Sequence, residues 1–172
     1  MSFDGFLSTI ESDRLREVAE TWRQAGTGRR MPGWRDIDPL ALGKNLPIVW
    51  AWKYDRATEQ FTGRLSGEEI TQAFGKSLRG RKHEEFFPKD EQPRVFRLHR
   101  RVVAEPAFAR GTGRVFSHVG RVGIGERIIM PLADDGANGD GIIGATVYQL
   151  YDKPAPEDPA DPGLRLSFFP LD

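Results

Sequence analysis

The sequence contains no cysteine among its 172 residues. This absence excludes a disulfide framework, a catalytic thiol, and every zinc or iron–sulfur site that needs thiolate ligands. A run of about 18 apolar residues is also missing, so no segment is predicted to span a membrane. The acidic N-terminal stretch lacks the apolar block of a signal peptide. We therefore expect a cytoplasmic protein.

The chain also lacks a net charge, because 25 basic side chains balance 25 acidic ones. A balanced chain argues against binding nucleic acid or an anionic membrane over its whole surface. The charges are nevertheless segregated along the sequence. Residues 76–127 carry 13 basic and 6 acidic side chains, whereas residues 128–172 carry 2 and 8. This asymmetry predicts a charged face or tail.

The N-terminal region is predicted to form one helix over residues 8–25. Ser8 and Glu11 have the spacing of a capping box at its start. Leu15, Val18 and Trp22 share one apolar face. That face either packs on its own domain or also pairs with a second copy, so these three residues are candidate interaction residues.

The rest of the chain favours an α+β fold with a five-stranded antiparallel sheet and helices on one face. The pattern predicts a short helix over 67–74 and a long helix over 89–105, with Asp90 as its candidate cap. Asp38 is predicted to cap a short turn that begins at Pro39. The predicted strands are 48–55, 60–66, 107–118, 120–133 and 141–151.

The C-terminal extension changes character twice. Residues 153–163 contain four prolines and three acidic residues, which is typical of an extended linker. Residues 164–171 are apolar again and must dock on the domain or remain exposed. We therefore divide the chain into a helical N-terminal extension (1–30), a domain (31–152) and a C-terminal linker and tail (153–172).

The predicted order of elements resembles a PAS domain, and several stretches carry the resemblance. More specifically, the chain is similar to the type-five PAS family of stand-alone bacterial proteins. The resemblance covers about residues 31–151, and five blocks carry it: MPGWRDIDPLALGKNLP (31–47), RLSGEEITQAFGKSLRGR (64–81), FFPKDE (86–91), MPLADDG (130–136) and GIIGA (141–145).

The resemblance implies a sensor or interaction module that holds a small ligand between sheet and helices, or that holds none and mediates dimerisation. A filled core and a ligand site are both open alternatives, because so many of the inner positions carry large side chains. The candidate lining residues are Leu65, Ile70, Phe74, Leu78, Phe86, Phe96, His99, Val103, Ile128 and Met130.

No cofactor or metal is assigned. The resemblance makes His99 the best candidate for a haem ligand, although a histidine on an apolar helix face is more typical of a hydrogen-bonded core residue. A flavin adduct needs the cysteine that the chain lacks, and a non-covalent flavin has no specific support. His83 is expected to be exposed in a loop. His118 follows a strand without a carboxylate at ligand spacing.

The densest basic cluster lies on the long helix, where Arg94, Arg97 and Arg101 share a face. Guanidinium groups suit carboxylate or phosphate partners. The face is either solvated and paired with local acids, or a dock for the acidic tail, or a nucleic-acid surface. No aromatic residues interleave with these arginines to stack bases, which argues against the last alternative.

The sequence therefore favours a non-enzymatic PAS-like sensory or protein-interaction module of bacterial signalling. It would act as a homodimer or through a partner protein. One alternative is a small curved-sheet enzyme, isomerase-like or dehydratase-like, with a polar pocket near His99. Another is nucleic-acid or nucleotide binding through the helix face from Arg94 to Arg101.

Overall fold

A computed structural model describes residues 2–118, 121–152 and 163–172, with the side chains of 117 and 118 left out of the description. The helices are α1 (Ser2–Thr9), α2 (Asp13–Ala25), α3 (Pro39–Leu42), α4 (Glu68–Phe74) and α5 (Gln92–Ala104). Short 3-10 turns cover Trp34–Asp36, Gly43–Ile48 and His83–Glu85. The strands are β1 (Val49–Asp55), β2 (Gln60–Ser66), β3 (Ala107–His118), β4 (Arg121–Leu132), β5 (Gly141–Tyr151) and β6 (Leu164–Pro170).

The strands form one antiparallel sheet in the order β2-β1-β5-β4-β3-β6. The predicted count of five strands is wrong, because the apolar tail adds a sixth. Its register runs from Ala107 opposite Pro170 to Gly113 opposite Leu164. The tail docks here because β3 would otherwise expose a row of unpaired backbone groups at the sheet edge.

Helices cover both faces of the sheet, whereas the sequence predicted helices on one face. Along β1, Val49 and Ala51 pack with α1 and α2, while Trp50 and Trp52 pack with α4 and α5. Side chains of a strand alternate between the two faces, so each strand contributes to two separate cores. We call these the α2 face and the α5 face.

The N-terminal region forms two helices instead of the single predicted helix. The carboxylate of Glu126 on β4 accepts hydrogen bonds from the backbone N–H groups of Glu11 (3.0 Å) and Ser12 (2.8 Å). Ser12 then caps α2 by accepting a bond from the N–H of Leu15. Ser8 donates to the carbonyl of Gly5 and is not the predicted cap. A carboxylate from a distant strand thus fixes the break between the helices.

Other helix boundaries follow the sequence more closely. Asp38 accepts a bond from the N–H of Leu40 (2.9 Å), as predicted. Gly75 ends α4 at a φ of 76°, a left-handed conformation that glycine tolerates. Helix α5 begins at Gln92 and has Glu91 at its N-cap position, without a side-chain cap, so the predicted cap at Asp90 is wrong. Within the described ranges, every helix is too short or too polar to traverse a bilayer.

Candidate functional site

The α5 face holds polar side chains inside an aromatic core. His83, His99 and Thr146 are buried there, and Arg127 is partly buried beside them. Buried polar groups lose hydration and therefore need hydrogen-bond partners inside the protein. The four side chains come from four different elements and are hydrogen-bonded, which makes this cluster the candidate functional site.

His83 and His99 form a hydrogen-bonded pair, with 2.7 Å between the Nε2 atom of His83 and the Nδ1 atom of His99. Burial lowers the pKa of His83 to about 4 and the pKa of His99 well below its usual range, so both rings are neutral at pH 7. One ring donates its N–H and the other accepts. His83 is only 5% exposed, so its predicted exposure in a loop is wrong.

The segment before His83 crosses β2 closely, which carries the histidine under the sheet. The N–H of Gly63 donates to the carbonyl of Arg81 (2.9 Å), and the N–H of Gly80 donates to the carbonyl of Gly63 (2.9 Å). A Cβ atom at position 63 would lie 1.8 Å from the carbonyl oxygen of Leu78. Only glycine permits this approach, and the approach places His83 opposite His99.

Trp50 and Arg127 meet at the hydroxyl of Thr146. The indole Nε1 of Trp50 donates to this oxygen at 3.0 Å, and the Nε atom of Arg127 donates to it at 3.0 Å. The Trp50 ring lies directly on Gly144, where a Cβ atom would come within 2.2 Å of the ring. Three neighbouring strands, β1, β4 and β5, thereby hold the guanidinium group in place.

A bulge in β3 supplies the other side of the site. The register shifts between Arg114 and Phe116, so that Val115 and Phe116 both pack in the core of the α5 face. The carbonyl of Val115 accepts a bond from Arg127 Nη2 at 2.5 Å, and the Cζ atom of Arg127 lies 4.9 Å from the centre of the Phe116 ring. Bulges re-aim side chains in this way at functional sites.

Two neighbouring spaces border this cluster. The inner cavity has a volume of about 30 Å³ and is lined by Trp50, Trp52, Phe74, Leu78, Phe87, His99, Phe116 and Arg127. The outer cleft has a volume of about 120 Å³ and is bounded by α4, α5, β3 and β6. Both spaces touch Phe74, Phe87, Phe116 and Arg127. A small molecule in the outer cleft can therefore reach the guanidinium group of Arg127.

The predicted lining residues divide between the two faces. Seven pack on the α5 face, namely Ile70, Phe74, Leu78, Phe86, Phe96, His99 and Val103. Leu65, Ile128 and Met130 pack on the α2 face, so their assignment to the same compartment is wrong. On β4 the alternation places Ile129 on the α5 face instead.

Four residues of the site were not predicted from the sequence: Trp50, Phe116, Arg127 and Thr146. A signal for Arg127 was present, because a charged pair with Glu126 directly precedes the apolar run Ile128 to Met130. A charge beside such a run indicates a buried partner or a ligand.

The surroundings of His99 bear on the enzymatic and haem alternatives. Its contacts are His83, Arg127 and aromatic rings, so the described residues bring no carboxylate to it. Nor does the described part of the chain hold a group of three or more His, Asp or Glu side chains suited to a metal. The inner cavity has room for about two water molecules, which is far less than a haem or flavin needs.

The predicted interaction residues have four different environments. Leu15, Val18 and Trp22 are buried against the sheet of their own chain. The helix therefore packs on its own domain, which is the first of the two alternatives that the sequence left open. Arg101 places its Cζ atom 3.7 Å above the centre of the Phe168 ring of β6, and Arg94 lies 3.9 Å from Glu91. Arg97 is exposed.

The predicted dock between the arginine helix and the acidic tail involves residues 153–162, which lie outside the described residues. The His118 side chain lies outside them as well. What the structure does show is that the apolar part of the tail contacts the arginine helix, through Phe168. This contact is a cation–π interaction and not a salt bridge.

The sheet with α4, the His83–Glu85 turn and α5 between β2 and β3 defines the class of PAS-like sensor and interaction domains. The sequence model of the type-five PAS domain family matches residues 10–147, so the chain belongs to this family. The match begins before α2 and thus includes this helix. Neither a search of curated proteins nor a search of solved structures found a match. PAS domains are generally sensory or interaction modules without enzymatic activity.

Proposed function

We propose that this PAS domain is a non-enzymatic sensory module of the bacterial cytoplasm that binds a small ligand on the α5 face. The observation that carries the proposal is the inner cavity with its adjoining outer cleft. Both are bordered by a polar cluster that three strands hold in place. A space lined mostly by apolar and aromatic side chains, with a few oriented polar groups, has the lining that is typical of small-molecule sites.

The size of the site limits the ligand. Drug-sized molecules occupy sites of about 300–1,000 Å³, whereas the inner cavity and outer cleft measure about 30 and 120 Å³. The ligand is therefore a molecule of few heavy atoms that spans both spaces. Its contacts would include α5 and β6, so binding has a direct route to the edge of the sheet.

Tryptophan side chains offer a test with an internal control. The indole N–H of Trp50 donates inside the site, whereas Trp34 lies outside both spaces, with Arg64 beside its ring. In a two-dimensional NMR titration of the full chain with toluene, we expect a saturable shift of the Trp50 signal and none of the Trp34 signal. Equal shifts of both signals, or no shift at saturating toluene, would overturn the proposed site.

A matched pair of variants sharpens this test. Leu98 lines the outer cleft, so Leu98→Phe is expected to narrow it and weaken toluene binding. Leu40 is 87% exposed on α3, so Leu40→Phe adds the same volume elsewhere and is expected to leave binding unchanged. Equal effects of the two variants would contradict the assignment.

The output part of the proposal is association with a second copy or with a signalling partner. Because Leu15, Val18 and Trp22 are buried in their own chain, association needs a different surface. Sedimentation velocity over a range of concentrations, with and without the probe, measures the self-association. A strict monomer under both conditions, with no partner in pull-downs, would remove this part and leave ligand binding to be judged by the NMR titration.

A further inference from the structure

The charge around Arg127 indicates which kind of ligand the proposed site takes. Its two described hydrogen-bond acceptors, the hydroxyl of Thr146 and the carbonyl of Val115, are both neutral. Within the described residues, no carboxylate lies within salt-bridge distance of the guanidinium group. Desolvation, together with the nearby cation of Arg94, lowers the pKa of Arg127 to about 10, so the group stays charged at pH 7.

Two further arginines border the outer cleft. Arg94 and Arg114 line it together with Arg127, and Glu91 is the one acid among the described lining residues. The Glu91 carboxylate lies 3.9 Å from Arg94. The described lining residues thus give the cleft a local excess of positive charge.

A desolvated guanidinium group without a counter-charge costs free energy, and a bound anion would recover it. The planar guanidinium fork matches the two oxygens of a carboxylate, and this pairing strengthens where water is excluded. His99 faces the same cavity as a neutral ring, because burial lowers its pKa, and its Nδ1 atom is already bonded to His83. Arg127 is thus the one charged group among the described residues that line the inner cavity.

Most of the remaining lining is apolar. Phe74, Phe87 and Phe116 border both spaces, and Val95 and Leu98 of α5 border the outer cleft. A fully hydrated inorganic anion gains nothing from these surfaces, whereas an apolar group does. We propose that the ligand is a small monocarboxylate whose carboxylate pairs with Arg127 and whose short apolar body lies between these phenylalanine rings. This inference rests on the proposed function and specifies its ligand class.

Pairs of ligands that differ only in charge test the inference. Benzoate and benzamide have nearly the same shape, and only benzoate carries a charge at pH 7. By calorimetry on the full chain, we expect benzoate to bind at least about tenfold more tightly than benzamide, the ratio typical of one hydrogen bond to a charged group. Inorganic phosphate is an anion without an apolar body, and it is expected to compete only weakly with benzoate.

Variants of Arg127 identify the group responsible. Arg127→Met removes the charge while keeping the length, and it is expected to bring the benzoate-to-benzamide ratio close to one. Arg127→Lys keeps the charge without the fork and is expected to retain part of the ratio, so it carries the test if Arg127→Met does not fold. Arg97 is an exposed arginine of α5 that lines neither space. Arg97→Met is therefore the matched control and is expected to leave the ratio unchanged.

Each outcome separates this inference from the proposed function. If toluene and benzamide bind as tightly as benzoate, the site exists but the carboxylate assignment is wrong. The same conclusion follows if Arg127→Met keeps the full ratio, or if phosphate competes as well as benzoate does. If neither charged nor neutral probes shift the Trp50 signal, the proposed function itself fails.

Discussion

The two faces of the sheet differ in what they bury, although they are built from alternate residues of the same strands. The α2 face is covered by α1 and α2 with large apolar side chains, among them Phe6, Leu15 and Met31, which are fully buried, and its cleft of about 340 Å³ is lined by Phe3, Trp22 and Phe108 among others. The α5 face buries two histidines and a threonine, and it leaves a cavity beside them. Under the proposed function, the sheet separates stability from binding by side-chain parity. Mutations of one face should therefore spare the role of the other.

The largest expected effect on stability is on the α2 face. Leu15→Ala removes a fully buried side chain and should lower the free energy of unfolding by about 4 kcal/mol. Leu98→Ala makes the same chemical change at a partly buried position that borders the outer cleft, and it should cost only about 1 kcal/mol. Urea unfolding of both variants measures the difference, and similar losses would mean that the two faces are equally packed.

The next effect is a pH dependence that belongs to the α5 face. Because burial lowers the pKa of His83 to about 4 from an unfolded value near 6.5, the unfolded chain takes up the proton first as the pH falls. Stability is therefore complete above about pH 6.5 and decreases toward pH 4, by on the order of 3 kcal/mol. The cation facing the pair, Arg127, acts in the same direction on His99.

Unfolding experiments between pH 7 and pH 4 check this dependence. The double variant His83→Leu/His99→Leu should lose most of the slope between these values. His118→Gln removes the histidine outside the pair and should keep the slope. A slope that survives in the double variant would assign the acid sensitivity to carboxylates elsewhere in the chain.

A smaller effect is expected at the polar anchor of the α2 face. Glu126→Gln weakens the bonds to the N–H groups of Glu11 and Ser12 and removes the charge opposite Arg110, whose Nε atom lies 2.6 Å away. We expect a loss of about 2 kcal/mol, because the partly buried Arg110 then loses the nearer of its two carboxylate partners and keeps only Glu11 at 3.4 Å. Hydrogen exchange at Glu11 and Ser12 should accelerate.

The control for this variant is Glu20→Gln on the same helical region, which should change neither stability nor exchange. The Trp50 response to toluene should also stay intact in Glu126→Gln, because the anchor lies on the opposite face. A lost Trp50 response would show that the two faces are coupled and would break the comparison.

The regular parts of the fold could be predicted because they depend on local patterns. Alternating apolar residues identified β1 to β5, and Gly75 marked the end of α4. The sixth strand could not be assigned from Leu164–Pro170 alone, since its pairing depends on which sheet edge is open. The break between α1 and α2 depends on Glu126, more than 100 residues away along the chain.

The site was predicted only in part, for two physical reasons. His99 was found because helical periodicity places it on the apolar side of α5. His83 was missed because its burial requires the close crossing at Gly63, which joins segments that are separate in sequence. Ile128 and Met130 were assigned to the wrong face because alternation shows which residues share a face but not which helices cover it. One residue of β4 whose face was known, such as Arg127, would have been enough to assign the others.

The bulge in β3 has a consequence for how this strand can vary. Phe108 and Phe116 both have even numbers, yet the first packs on the α2 face and the second on the α5 face. The extra residue at Val115 thus shifts the alternation by one residue, so even-numbered residues face opposite sides of the sheet before and after the bulge. Deletion of Val115 would restore the regular alternation and leave Phe116 opposite Gly123 on the α5 face, but it would remove the carbonyl that accepts the bond from Arg127. At this position, therefore, the number of residues matters more than their identity.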